Sequence, residues 1–67
     1  MDITLNNQSK VFPDPCTVQQ LLDKVLPENQ KGIAIAVNET VVPKTDWLNY
    51  FIQPKDSVLI INATSGG

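Results

Sequence analysis

The residues with the clearest chemical potential stand at the end of the chain, which closes on Gly66 and Gly67. They are two of only three glycines among 67 residues, so the pair does not reflect a glycine-rich composition. Glycine lacks a Cβ atom, which lets the backbone adopt dihedral angles that other residues avoid and enter a narrow site. The Gly67 carboxylate, preceded by Gly66, is therefore the candidate functional group, and a frayed end without function is the alternative.

Few side chains elsewhere could carry out catalysis. The sequence has no histidine and a single cysteine, Cys16, so it offers no Cys-His pair, no internal disulfide and no plausible zinc ligand set. No nucleophile and base of the usual kind can be assembled from the other residues. We therefore expect no catalytic residue and no metal, and we interpret Cys16 as a small structural residue.

The composition is that of one small folded domain. With 42% hydrophobic and 18% charged residues, the chain has neither a disordered nor a collagen-like signature. The formal charge is −2 and the five lysines are dispersed, so the basic surface that binds nucleic acid is missing. No apolar run approaches the ~20 residues of a membrane span, and no export signal opens the chain. We expect a cytoplasmic protein that binds neither nucleic acid nor membranes.

Alternation of apolar and polar residues predicts the strands that must position the tail. Residues 1–6 and 9–12 are predicted to form a hairpin, because the asparagines between them tolerate a left-handed backbone. Residues 33–38 are predicted as a buried strand and residues 40–42 as a short one. The β-branched run 57–62 is predicted as the last strand, which leads directly into the diglycine end.

One helix is predicted at residues 18–26, where apolar side chains recur at helical spacing. Thr17 followed by Gln20 matches a capping box at its start. One amphipathic helix covers one sheet face, so we predict an α+β domain with a mixed sheet of four or five strands packed on that helix. The domain spans residues 1–62, and residues 63–67 are expected to form a flexible tail.

Shorter features are predicted between the last two strands. Thr45 is predicted to cap a brief turn that holds Trp47, and the Trp47 indole is predicted to supply core area. Pro54 is preset for the second position of a further turn.

The last strand also indicates a second surface. If Val58 and Ile60 face the helix, then Leu59 and Ile61 must point away from it. An open sheet face is normally polar, so apolar residues there indicate either packing under a loop or docking of another protein. Leu59 and Ile61 are therefore candidate docking residues, and both interpretations stay open at this point.

The element order, the diglycine end and the stretch AVNETVVPKTDW together resemble the ThiS family, the sulfur-carrier proteins of thiamine biosynthesis. The most specific part is Val42-Pro43 with Trp47 four residues on, and TVQQLL and DSVLI also fit. The resemblance spans the full chain. One departure lies in a turn, where Lys55 precedes Asp56 and relatives often have a glycine.

This resemblance implies the ubiquitin-like β-grasp fold, which agrees with the element order. It further implies that an E1-like enzyme of the ThiF type adenylates the Gly67 carboxylate with ATP and magnesium, and that the terminus then becomes a thiocarboxylate. A cysteine desulfurase would supply the sulfur, and thiazole synthase of the ThiG type would receive it. The chain itself would be a co-substrate, not an enzyme, and would bind no cofactor.

Three other functions remain open from the residues alone. The small subunit of molybdopterin synthase is a similar diglycine carrier, although the short length and the VVPKTDW stretch favour the thiamine version. A ubiquitin-like modifier would instead attach Gly67 to lysine amines of target proteins. A plain interaction module would keep its function after removal of Gly66 and Gly67.

Overall fold

A computed structural model describes residues 1–28 and 30–62 of the chain. The elements follow the predicted order: β1 Asp2–Leu5, β2 Gln8–Val11, α1 Val18–Val25, β3 Ile33–Val37, β4 Thr40–Val42, a 3-10 helix Lys44–Asp46 and β5 Ser57–Asn62. The five strands form one sheet in the order β2-β1-β5-β3-β4. Strand β5 is parallel to β1 and antiparallel to β3, so the sheet is mixed, as predicted.

The β1–β2 hairpin turns on two asparagines with left-handed backbones, Asn6 at φ 49° and Asn7 at φ 67°. Two left-handed residues suit the tight turn whose twist matches a hairpin. Strand β1 therefore ends at Leu5, one residue before the predicted end at Asn6. At the open end of the hairpin, one further backbone hydrogen bond extends the pairing: the Phe12 N–H donates to the Met1 carbonyl at 2.9 Å.

Helix α1 begins with the predicted capping box. The Thr17 hydroxyl accepts from the Gln20 N–H at 3.1 Å, and the Gln20 side chain accepts from the Thr17 N–H at 2.9 Å. The helix ends at Val25, one residue before the predicted end, and Leu26 is its C-cap at φ −137°. The reason is Pro27, whose ring disfavours a helical backbone at the preceding residue.

The core lies between α1 and one face of the sheet. Its fully buried members come from the helix, from β3 and β5 and from the long connection after β4: Val18, Leu21, Leu22, Ile35, Val37, Ile52 and Val58. Trp47 joins them at 2% exposure, and its Nε1 donates to the Val42 carbonyl at 2.9 Å. The predicted core role of Trp47 is confirmed, and the hydrogen bond satisfies the one polar atom that the indole buries.

The connection between β4 and β5 is anchored on the start of α1. The N–H groups of Val18 and Gln19 donate to the carbonyls of Tyr50 and Trp47, both at 3.0 Å. These bonds satisfy helix donors that have no partner within the helix. The predicted cap at Thr45 is wrong: Thr45 lies inside the 3-10 helix, which has no side-chain cap because Pro43 occupies the N-cap position.

The turn before β5 has Pro54 at its second position, as predicted. The Asp56 N–H donates to the Gln53 carbonyl at 3.1 Å, and Lys55 adopts φ 70° at the third position. A left-handed third residue defines a type II turn and favours glycine there. Lys55 therefore takes the backbone conformation that the missing turn glycine would adopt, and the Asp56 carboxylate braces the turn by accepting from the Gln53 N–H at 2.8 Å.

Candidate functional site

The diglycine end continues from a central strand of the sheet. Strand β5 lies between β1 and β3 and ends at Asn62, which pairs with Ile33 at the start of β3. The predicted sulfur-carrying Gly67, the predicted access residue Gly66 and the whole predicted tail 63–67 lie outside the described residues. What the structure defines is the platform from which this tail continues.

Side chains of β5 alternate between the two faces of the sheet. Val58 is fully buried against the helix and Ile60 packs beside the same core. Leu59 is half-buried on the other side, and Ile61 is 47% exposed there. The predicted alternation is confirmed, whereas the docking role of Leu59 and Ile61 stays a prediction.

Strands β3 and β4 enlarge the apolar surface around these two residues. Ala36 pairs with Leu59 on one side and with Val41 on the other, and Ala34 pairs with Ile61. Paired residues on adjacent strands point to the same face. We call the resulting surface the open-face patch: Ala34, Ala36, Val41, Leu59 and Ile61.

The register of the sheet makes this patch continuous. Val41 is 64% exposed, so the patch presents large side chains at both ends with small alanines between them. Sequence reasoning missed Val41 because alternation within one short strand does not say which neighbour it pairs with. None of the five members carries a charge, which suits contact with another apolar surface.

The other half of the open face is mostly polar, and Val11 at its edge is the apolar exception. Thr4 of β1 pairs with Ser9 of β2 and with Ser57 of β5, and Asp2 pairs with the exposed Val11. The apolar surface therefore stops at β5 instead of covering the whole sheet. The open-face patch therefore lies on β3, β4 and β5, and β5 is the strand that leads into the tail.

Cys16 lies apart from this surface and is buried, with 1% of its area exposed. Burial raises the pKa of the thiol, and the positive charges of Lys24 and the chain amino group offset only part of that rise. The Sγ atom donates to the Thr17 carbonyl at 3.5 Å. A protonated, enclosed thiol is a poor nucleophile, so the structural interpretation of Cys16 is confirmed.

An open groove of about 250 Å³ lies beside the start of α1. It is lined by Pro13, Pro15, Cys16, Gln20, Asp23 and Lys24. No predicted site residue contributes to it.

Among residues 1–28 and 30–62 there is also no cluster of three His, Cys, Asp or Glu residues that could hold a metal ion. Within the same ranges, no helix has the length and apolar character to cross a membrane.

A polar network ties the segment before β3 to the helix. Gln30 donates to the Asp23 carboxylate at 3.0 Å and to the Leu26 carbonyl at 2.8 Å, and Gln19 donates to the same carboxylate at 2.9 Å. Hydrogen bonds from Gln30 and then Gln19 lower the pKa of Asp23. The spacing of Gln19 and Asp23 by four residues is a sequence signal for half of this network.

Comparison with known proteins agrees with this architecture along the whole chain. The model of the ThiS family matches residues 2–67. The "Sulfur carrier protein ThiS" of Escherichia coli (strain K12) is 33% identical over 67 residues, which cover 100% of each chain. A crystal structure of the thiamine biosynthesis protein ThiS from Geobacter metallireducens superposes with a TM-score of 0.87 at 17% identity, over 100% of both chains, which shows the shared fold.

The matched region is informative because it includes both the folded platform and the diglycine end. A sulfur carrier needs a small stable domain and a terminal acyl group, but it needs no catalytic side chain of its own. With five strands on one helix and a family match that reaches Gly67, the chain belongs to the ThiS family of sulfur-carrier proteins of thiamine biosynthesis and has the ubiquitin-like β-grasp fold.

Proposed function

We propose that this protein carries sulfur as a thiocarboxylate on Gly67 for the synthesis of the thiamine thiazole ring. The observation that carries the proposal is the family match over residues 2–67, which includes the terminal diglycine. The relative from Escherichia coli, named a sulfur carrier, aligns over its full length. The mobility of residues 63–67 and the roles of Gly66 and Gly67 are parts of this proposal.

The proposed chemistry begins with activation of the Gly67 carboxylate, which is not electrophilic enough to react with sulfur by itself. A carboxylate is a poor acyl donor, so a partner enzyme of the E1-like ThiF type joins the Gly67 carboxylate oxygen to the α-phosphorus of ATP and releases pyrophosphate. Magnesium held by that enzyme neutralises the phosphate charge. The outer sulfur of a persulfide then attacks the acyl carbon and expels AMP. A thiol, such as that of the excess cysteine, cleaves the S–S bond of the resulting acyl disulfide and is oxidised to a disulfide, which leaves a thiocarboxylate on the carrier.

Two further partners complete the sequence of transfers. A cysteine desulfurase supplies the sulfur, and a thiazole synthase of the ThiG type takes it from Gly67. Gly66 serves access, because a residue without Cβ lets the backbone approach reacting groups closely. The carrier provides the acyl group while the partners provide catalysis, so it needs no bound cofactor of its own.

Docking is proposed to use the open-face patch, with Leu59 and Ile61 on the strand that leads into the tail. The support is geometric: the patch is uncharged, partly exposed and built on the same strand that leads into the tail. An uncovered apolar surface of this kind is typical of an interaction site. A partner seated on the patch holds β5 and thereby fixes the point from which the tail extends.

Intact-protein mass spectrometry tests the central step. The full chain is incubated with an E1-like activating enzyme, ATP, magnesium, a cysteine desulfurase and cysteine, beside a variant that lacks Gly67. We expect a mass increase equal to the replacement of one oxygen by sulfur, and no increase in the truncated variant.

The controls separate this proposal from its rivals. The activating enzyme must first be shown to work on another carrier, so that an unchanged mass contradicts the proposal. Conjugates of higher mass in a cell lysate would indicate a protein modifier. Transfer of the sulfur to a pterin precursor, and not to a thiazole synthase, would indicate a molybdopterin-type carrier.

A further inference from the structure

Asn6 makes an unusual contact with the last strand. Strand β1 ends at Leu5, which pairs with Val58. The Asn6 N–H then donates to the Val58 carbonyl at 2.9 Å, and the Asn6 side-chain Oδ1 accepts from the Ile60 N–H at 2.8 Å. The side-chain oxygen thus takes the place of the Asn6 backbone carbonyl, which would have accepted this bond if β1 had continued.

This contact requires two properties in one residue. Asn6 adopts φ 49°, because the hairpin turn starts there and carries the backbone away from β5. Glycine suits a left-handed backbone but has no side-chain acceptor, while most residues with an acceptor avoid this region. Asparagine and aspartate combine tolerance of the left-handed region with a short side-chain oxygen. Asn7 occupies the next position of the same turn and is also left-handed, at φ 67°.

The contact between Asn6 and Ile60 lies close to the end of β5, from which the tail continues. Ile60 lies two residues before Asn62, the last residue of β5. On its other flank β5 is paired with β3, including Ile60 with Ile35. The Asn6 side chain therefore completes a two-sided support of β5 beyond the point where β1 has ended, between the open-face patch residues Leu59 and Ile61.

We infer that Asn6 is a positioning residue for transfer at the C-terminus: its side chain holds the end of β5, so that the point from which residues 63–67 continue stays fixed relative to the docked patch. The inference rests on the proposed function, in which Gly67 reaches into a partner's active site. Small displacements of a reacting group lower the fraction of complexes in a productive geometry. Loss of the contact therefore affects the reaction of the docked carrier more than docking itself.

The test compares three variants of the full chain in adenylation by an E1-like enzyme, measured as pyrophosphate release. Asn6→Gly keeps the left-handed backbone and removes the acceptor, Asn6→Asp keeps both, and Asn7→Gly is the matched control in the same turn. We expect Asn6→Gly to lower kcat roughly three- to tenfold, the range that the loss of one hydrogen bond of ordinary net strength allows. KM should stay within about twofold of the parent, since the patch is unaltered. Asn6→Asp should restore kcat, and Asn7→Gly should change neither constant.

Amide hydrogen exchange at Ile60 provides a readout that does not depend on any enzyme. The Ile60 amide should exchange roughly three- to tenfold faster in Asn6→Gly and unchanged in Asn7→Gly. Should Asn6→Gly unfold at the assay temperature, a synthetic chain with an ester in place of the Ile60 amide removes the same donor and leaves Asn6 intact. That chain should show the same fall in kcat.

Each contrary outcome overturns a definite part of the inference. Faster exchange at Ile60 with an unchanged kcat would show that Asn6 supports the strand but does not position the terminus. Unchanged exchange would show that the contact is not made. If the parent chain releases no pyrophosphate with an enzyme that is active on another carrier, the proposed function fails and the positioning role falls with it, although the exchange result still reports on the contact.

Discussion

The two faces of the sheet are built from similar residues but have different surroundings. On the helix side, Ile35 and Val58 are completely buried, while on the other side Ile61 and Val41 are 47% and 64% exposed. All four are β-branched and lie in strands, so their types fit the strand equally well on both faces. The comparison teaches that apolar character alone does not assign a residue to the core. The presence or absence of a covering element decides it.

The same comparison separates residues of β5 that stabilise the fold from residues that remain available to a partner. Val58 contributes to stability because the helix removes it from water. Ile61 contributes less to folding and remains available to a partner, which is the property that the proposed docking role needs. Four experiments with five substitutions follow, from the largest expected effect to the smallest; the first three test this division, and the last tests the helix surface outside it.

Trp47→Ala should have the largest effect, on folding and not on docking. The indole is 2% exposed and its Nε1 is bonded to Val42, so truncation leaves a cavity and an unpaired carbonyl. We expect a loss of about 3 to 5 kcal/mol in the free energy of unfolding, a large part of the stability of a small domain. Urea unfolding followed by circular dichroism measures it. A loss below about 1 kcal/mol, the level of an ordinary substitution, would contradict the core role.

Ile35→Ala and Ile61→Ala form a matched pair across the two faces. The same deletion should cost about 2 to 5 kcal/mol at Ile35, where a cavity forms in the core. At Ile61 it should cost about 1 kcal/mol or less, because nearly half of the side chain is already in water. Parallel urea titrations compare the two variants. Equal losses would mean that Ile61 is covered in solution and that the open-face patch does not exist as a free surface.

Ile61→Glu should change docking and leave folding nearly intact. A charge placed in an uncharged patch must be desolvated on binding, so KM for the activating enzyme should rise about tenfold or more. The free energy of unfolding should fall by no more than about 1 kcal/mol, the same limit as for Ile61→Ala. Ser9→Glu is the control, because it adds the same charge to the polar half of the same face. A similar rise in KM for both variants would indicate a general effect of charge and contradict patch-specific docking.

Asp23→Asn should have the smallest effect, since Asp23 lies on the exposed side of α1 and belongs to neither sheet face. Hydrogen bonds from Gln30 and Gln19 lower the pKa of its carboxyl in the folded state. Their contribution to stability is therefore present above the ordinary pKa of aspartate and is lost as the pH falls through the lowered value. Below about pH 4 the unfolding temperature of the parent should fall more steeply than that of Asp23→Asn. Parallel slopes in thermal unfolding at successive pH values would show that the network has no effect on stability.

Most of the fold was predictable because local rules and overall packing agree. The β-branched run of β5 and the capping box of Thr17 and Gln20 defined their elements from a few residues. Strand alternation also predicted the open orientation of Leu59 and Ile61. Errors arose where a neighbour decided the outcome: Pro27 ended the helix early and Pro43 displaced Thr45 from its expected cap.

The contacts that were not predicted join residues far apart in the chain. Nothing in the local pattern relates Asn6 to Ile60, which are brought together only by the parallel pairing of β1 and β5. The same holds for Val41, whose place across Ala36 from Leu59 depends on the register of β3 with both of its neighbours. The roles of Gly66 and Gly67 could be inferred only from residue type, position and family resemblance.

The burial of Cys16 has a consequence for the selectivity of sulfur chemistry. An activated acyl terminus can be captured by any accessible thiol, and two exposed carrier thiols could join two copies through a disulfide. Here the sole cysteine of the chain is enclosed in the core and its thiol is kept protonated. In the proposed reaction the chain therefore brings no accessible thiol of its own, and we expect a thiol-directed alkylating reagent to react with the proposed Gly67 thiocarboxylate well before it reaches Cys16.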